Sequence, residues 1–169
     1  MENEPEYIDA SPSAAFLMES IRDFGYTIET AIADLIDNSI SAAAKNIEIF
    51  LINDENGKPM ISIEDDGVGM NQDELLQAMR LCSKDRNLKR KKDDLGRFGM
   101  GLKTASLSQC RQLTVETNME GKSTSMTWDL DTVQKSNTWS VSKNFIEKKN
   151  KGTKVIWKKI DRTNILIEN

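Results

Sequence analysis

Histidine is absent from all 169 residues. That absence removes imidazole general bases, Ser-His triads and most zinc sites from the chemistry available to the chain. Cysteine occurs only twice. Cys82 and Cys110 lie in unlike surroundings with no CxxC spacing, which fits free or buried thiols in a reducing compartment better than a disulfide or a metal site. No apolar run approaches the length of a bilayer span, and the acidic start MENEPEY lacks the layout of a signal peptide, so the expected location is cytoplasmic with no membrane partner. There is no internal repeat and no low-complexity tract. A formal net charge of -4 and a pI near 5.0 give no bulk attraction to nucleic acid, so any polyanion contact has to be local. Carboxylates, amides, lysines and backbone groups remain to do the chemistry.

With 38% apolar residues, the chain is about the size of one ordinary domain and can bury a proper core. Residues 1–10 read as an acidic arm and 11–169 as the domain. Ser11-Pro12 supplies an N-cap with proline at the first helical position, which predicts a helix over 11–24. A second helix is predicted over 29–44. On it Asp34 and Asn38 stand one turn apart on a polar face, while Ile28, Ile32, Leu35, Ile36 and Ala43 collect on a face that can bury. Taken alone, that polar face is as well explained by solvent exposure. Residues 46–52 alternate like a strand, 53–59 carry Asn-Gly turn chemistry, and 60–64 form the return strand of a hairpin. This strand ends in Asp65-Asp66-Gly67-Val68-Gly69-Met70. The glycines there let a flat ligand approach the backbone, and a strand-end carboxylate can accept a hydrogen bond from an exocyclic amine. Asn71 followed by Glu74 is a capping box for a helix over 72–81.

The segment 82–95 then turns polar and strongly basic, with no periodicity. As a loop it is either a solvated linker or a cover for a polyphosphate. Gly96-Arg97-Phe98-Gly99-Met100-Gly101-Leu102-Lys103-Thr104 follows, setting glycines ahead of a helix that runs to about Gln109 and so offering backbone N–H groups to an anion. Two familiar phosphate loops are excluded. Walker A fails because Leu102 separates Gly101 from Lys103-Thr104 and because the preceding KRKKDDL is no buried strand; a Rossmann fingerprint fails for want of GxGxxG after an apolar strand. Strands are predicted over 112–117, 123–130, 138–145 and 153–158 with turns between them. The whole reads as an α/β (α+β) two-layer sandwich with a mixed, mostly antiparallel sheet covered on one face by helices.

The order ADLIDNS, DDGVG, basic loop, GRFGMGLKTAS and GTKVIW resembles the GHKL superfamily of ATP-binding domains, which includes DNA gyrase, the heat-shock chaperones, MutL and the sensor histidine kinases. The wording is nearest to the MORC-type subgroup. The resemblance covers about residues 11–160 and implies the Bergerat fold, with a lid loop over 82–101.

Residue by residue, the resemblance makes Asn38 the ligand of Mg2+ on the triphosphate and Asp34 the acid that deprotonates the attacking water. Asp65 would accept from the adenine amino group, steadied by Thr153. Gly67, Gly69 and Met70 would line the base and sugar. Gly96, Gly99, Met100, Gly101 and Leu102 would fold the lid over the phosphates, with Lys103 stabilising charge on the transferred group. Hydrolysing branches usually carry glutamate at the position of Asp34. The shorter acid therefore implies slow turnover.

The implied partners are ATP and ADP, a second copy on ATP binding, and an unidentified downstream domain or protein. The family completes its site from a second domain, so the chain is expected to be a fragment of a longer protein. The cations Lys84, Arg86, Lys89, Arg90, Lys91 and Lys92 are assigned to solvent or ATP before nucleic acid. Phosphotransfer of the histidine-kinase type and regulation without turnover remain as alternatives.

Overall fold

The computed structural model describes residues 6–81, 101–147 and 150–162. Among the described residues five helices, α1 (Ala14–Arg22), α2 (Ile28–Ser41), α3 (Gln72–Met79), α4 (Gly101–Gln109) and α5 (Leu130–Ser136), accompany six strands. The strands are β1 (Ile47–Asn53), β2 (Pro59–Asp65), β3 (Cys110–Met119), β4 (Lys122–Asp129), β5 (Ser142–Asn144) and β6 (Gly152–Ile160). They form one sheet in the order β1-β2-β6-β3-β4-β5. The expected two-layer α+β arrangement is what the chain forms, and among the described residues every strand pairing is antiparallel.

Register explains where the core lies. Side chains of paired residues share a face, so Ile61, Trp157, Leu113 and Trp128 form one row across four strands, and Ile63, Val155, Val115 and Met126 form the next. All eight are buried, beneath Leu35, Leu75, Met79, Ala105 and Leu107 from the helices. Trp128 Nε1 also donates to Met79 O at 2.9 Å, fixing the C-terminal end of α3 to β4.

The helix boundaries depart from the sequence expectation in instructive ways. The first helix starts at Ala14, not behind Ser11-Pro12. Ser11 is occupied locally, its hydroxyl donating to Asp9 Oδ1 at 2.6 Å. The N-terminus of α1 is capped from elsewhere: Asn137 Oδ1, at the left-handed end of α5, accepts from Ala15 N at 3.2 Å. No local pattern carries that signal. Helix α2 begins after Thr27, whose hydroxyl accepts from Thr30 N, and ends at Ser41, so Ala43 is exposed at φ 57 and does not join the buried face. Helix α5 stands where only a turn was expected. Asp129 caps it by accepting from Asp131 N at 3.0 Å, and Leu130 and Val133 bury beneath it. The strand expected over 138–145 shortens to Ser142–Asn144.

One exposed carboxylate fastens the end of β2 to the turn between α2 and β1. Asp66 accepts from Lys45 N at 2.6 Å, Asn46 N at 3.0 Å and Asn46 Nδ2 at 2.7 Å. The backbone N–H of Asn46, then its side chain and the Lys45 N–H, lower this carboxyl from 3.8 to about 2. A folded pKa below the unfolded one contributes stability above the unfolded value, and that contribution is lost as pH falls through the folded value. Replacing Asp66 with Asn should therefore leave a stability deficit that is constant above about pH 5 and closes between about pH 4 and pH 2. Urea unfolding across that range checks it, and a deficit independent of pH would refute it.

Candidate functional site

Beyond the two apolar rows, the next row of the helix-facing side changes chemistry. Thr117 pairs with both Thr153 and Thr124, and Asp65 ends β2 beside Thr153. The row is thus a carboxylate followed by hydroxyls, all buried. Asp65 is only 8% exposed, and a carboxylate removed from water needs donors. Three are present: Ser39 Oγ donates to Oδ2 at 2.9 Å, Gly67 N to Oδ1 at 2.9 Å and Thr153 N to Oδ1 at 3.2 Å. They come from α2, from the loop after β2 and from β6. Thr117 Oγ1 extends the network by accepting from Met70 N at 2.8 Å and by contacting Thr153 Oγ1 at 3.3 Å.

A cleft of about 580 Å³ opens over this row, within the size range of small-molecule sites. Of the residues expected at a site, Asn38, Asp65, Gly69, Met70, Gly101, Leu102 and Thr153 line it. Helix α2 organises one wall. Leu35 and Ser39, one turn apart, face the sheet, and Ser39 reaches Asp65. Asp34 and Asn38 occupy the neighbouring stripe. Asp34 Oδ2 accepts from Tyr26 Oη at 3.1 Å, and a Cβ added at Gly101 would stand 3.7 Å from that oxygen. The acid is therefore beside Gly101, the first described residue of α4.

Lys103 takes a different place. It is 1% exposed, and its Nζ donates to Ala78 O at 2.7 Å and Arg80 O at 2.6 Å. The ammonium thus satisfies carbonyls at the C-terminal end of α3 and locks α4 to that helix. Gly67 contributes through its N–H to Asp65. Gly96, Gly99 and Met100, and the basic segment before them, lie outside the described residues.

Sequence reasoning gave no role to Ser39, Thr117 or Tyr26, and named Gly152 only as the first residue of GTKVIW. Ser39 had a usable signal, since it follows Asn38 and stands one turn beyond Leu35. Thr117 had none without the register. Gly152 adopts φ +113, and a Cβ there would meet Asp65 O at 1.9 Å; Gly69 adopts φ +73, and a Cβ there would meet Asn118 O at 2.2 Å. Both contacts are with strand backbone, which cannot yield without opening the sheet. Gly152→Ala and Gly69→Ala should each lose about 2 kcal/mol or more of unfolding free energy. Unfolding within about 0.5 kcal/mol of the parent would show that these loops move freely.

Comparison with known proteins agrees with this geometry. Residues 26–161 match a family described as histidine kinase-, DNA gyrase B- and HSP90-like ATPases. The chain is 32% identical over 97 residues to the ATPase morc-1 of Caenorhabditis elegans, covering 54% of this chain and 10% of that protein. It is 34% identical over 95 residues to the DNA mismatch repair protein MutL of Thermoanaerobacter sp. strain X514, covering 53% of this chain and 15% of that protein. The MutL of Thermoanaerobacter pseudethanolicus matches with the same identity and extent. The aligned stretch is thus a small part of each relative.

Proposed function

Because the chain belongs to the family of histidine kinase-, DNA gyrase B- and HSP90-like ATPases, we propose that it binds ATP in the cleft between α2, α3, α4 and the sheet, and hydrolyses it slowly. The observation that carries this reading is the buried Asp65 carboxylate in the lining of a nucleotide-sized cleft. Its Oδ2 has one hydrogen-bond partner, Ser39, and keeps acceptor capacity for an amine. The adenine amino group donates there. A guanine would present a carbonyl to the same carboxylate and be repelled, so the site selects adenine.

The triphosphate extends from there along α2 towards Asp34, Asn38 and the N-terminus of α4. Asn38 fits a role as a Mg2+ ligand: its amide lines the cleft, and among the described residues no cluster of His, Cys, Asp or Glu could hold a metal by itself. The remaining ligands would be phosphate oxygens and water. When bound, the ion neutralises charge on the β- and γ-phosphates. Asp34 orients the attacking water and takes its proton as the new P–O bond forms; the bond from the γ-phosphorus to its bridging oxygen breaks, and ADP leaves with the electron pair. An acid at position 34 favours water as acceptor over a protein side chain.

In this reading Gly96, Gly99 and Met100 belong to a lid that closes over the nucleotide, with pairing of two copies passing the signal to a downstream domain or partner. Lys103 acts by holding the lid helix α4 to α3. The chain spans 10–15% of the relatives it matches, so the task of the whole protein is a further proposal.

Titration with a nonhydrolysable ATP analogue, with and without Mg2+, tests the binding half. Binding should require Asp65, failing in Asp65→Asn, and should lose its Mg2+ dependence in Asn38→Ala. Phosphate release tests the other half: Asp34→Asn should reduce turnover about a hundredfold or more with analogue affinity kept. Equal turnover in Asp34→Asn and the parent would leave a nucleotide-binding regulator instead.

A further inference from the structure

We infer that Tyr26 is a positioning residue for hydrolysis, its hydroxyl fixing the Asp34 carboxylate and tying it to the first turn of α4. This rests on the reading of Asp34 as the group that handles the attacking water. Tyr26 lies in the connection between α1 and α2, eight residues before Asp34, and belongs to none of the motifs that mark the family. Its hydroxyl donates to Asp34 Oδ2 at 3.1 Å and lies beside the Thr104 hydroxyl. Thr104 is 3% exposed and lies three residues beyond Gly101. The Tyr26 carbonyl also accepts from Gln109 Nε2, at the last residue of α4, at 2.9 Å. Tyr26 is thus held by the last residue of α4 and lies beside Thr104 of the same helix, and Asp34 is held by Tyr26.

The chemistry of the pair gives the interaction its weight. A phenol has one proton, and here it is directed to the carboxylate. Burial, the largest influence, pushes the Tyr26 hydroxyl above its ordinary value, so it remains a donor. Aspartate has one methylene fewer than glutamate and turns about two side-chain bonds. Anchoring one oxygen therefore sets the direction of the other. A shortened acid gains most from such an anchor, because a displacement on the order of 1 Å costs about a hundredfold in rate. The bond from Gln109 and the neighbouring Thr104 also make the orientation of the acid depend on the position of α4, the helix that follows the glycine-rich segment.

Tyr26→Phe keeps the ring, which packs against the core, and removes only the hydroxyl. Phosphate release and binding of a nonhydrolysable ATP analogue are measured on Tyr26→Phe, Thr104→Val, Asp34→Asn and the parent. The expected result is a fall in kcat of about tenfold in Tyr26→Phe, with analogue affinity within about twofold of the parent. Thr104→Val should show a smaller fall of the same kind, and it decides the question if Tyr26→Phe does not fold. Unchanged kcat in folded Tyr26→Phe, or affinity lost while kcat stays, overturns the inference and assigns the hydroxyl a structural role. If the parent turns over in an Asp34-dependent way, such a result leaves the hydrolytic reading intact. If the parent releases no more phosphate than Asp34→Asn, the hydrolytic reading fails and this inference falls with it.

Discussion

A carboxylate withdrawn from water constrains the rest of this structure. Leaving Asp65 buried and unpaired would cost several kcal/mol, and no cation is among the donors found at it. Neutral donors must converge instead, and they arrive from three separate places: Ser39 on α2, Gly67 after β2 and Thr153 on β6. Each arrival fixes a piece of the cleft. Ser39 sets the rotation of α2 and with it the direction of Asp34 and Asn38. Thr153 brings Gly152 against the Asp65 carbonyl, and Thr117 holds the Met70 loop.

The sheet places this carboxylate at the boundary between core and cleft. Two rows of four apolar side chains cross β2, β6, β3 and β4, and the third row begins the polar site. Binding groups that sit one row beyond a packed core inherit its rigidity, since moving them means breaking sheet hydrogen bonds and core contacts together. The helix layer is tied with comparable care. Lys103 fastens α4 to α3, and buried Arg22 donates to Leu107 O at 2.9 Å and pairs with Asp161, linking α1, α4 and the chain just past β6. Helix α4, whose N-terminus faces the cleft, is thereby braced along its length.

Much of this was legible in the residues, and the exceptions share a cause. The hairpin of β1 and β2, the capping box of α3, the end of α4 at Gln109 and the acid-amide pair on α2 are local patterns with periods of two, three or four residues. Misread elements depend on contacts distant in sequence. Helix α1 starts where Asn137 can cap it. Helix α5 is seven residues long, too short to show a period, and is held by Asp129 and by burying Leu130 and Val133. Lys103, read as a phosphate-binding lysine because it follows glycines, has its ammonium on the carbonyls of Ala78 and Arg80.

The sequence by itself determined the order of elements apart from α5, the two-layer class and the family, because propensity, capping and motif spacing act within a few residues. Only the tertiary structure decided which residues meet. The meeting of Asp65 with Ser39, of Thr117 with Thr153, and of Tyr26 with Asp34 across a helix turn and a loop follows from strand register and helix rotation. Those are set by burial of the whole apolar surface at once, and no single stretch of chain contains that information.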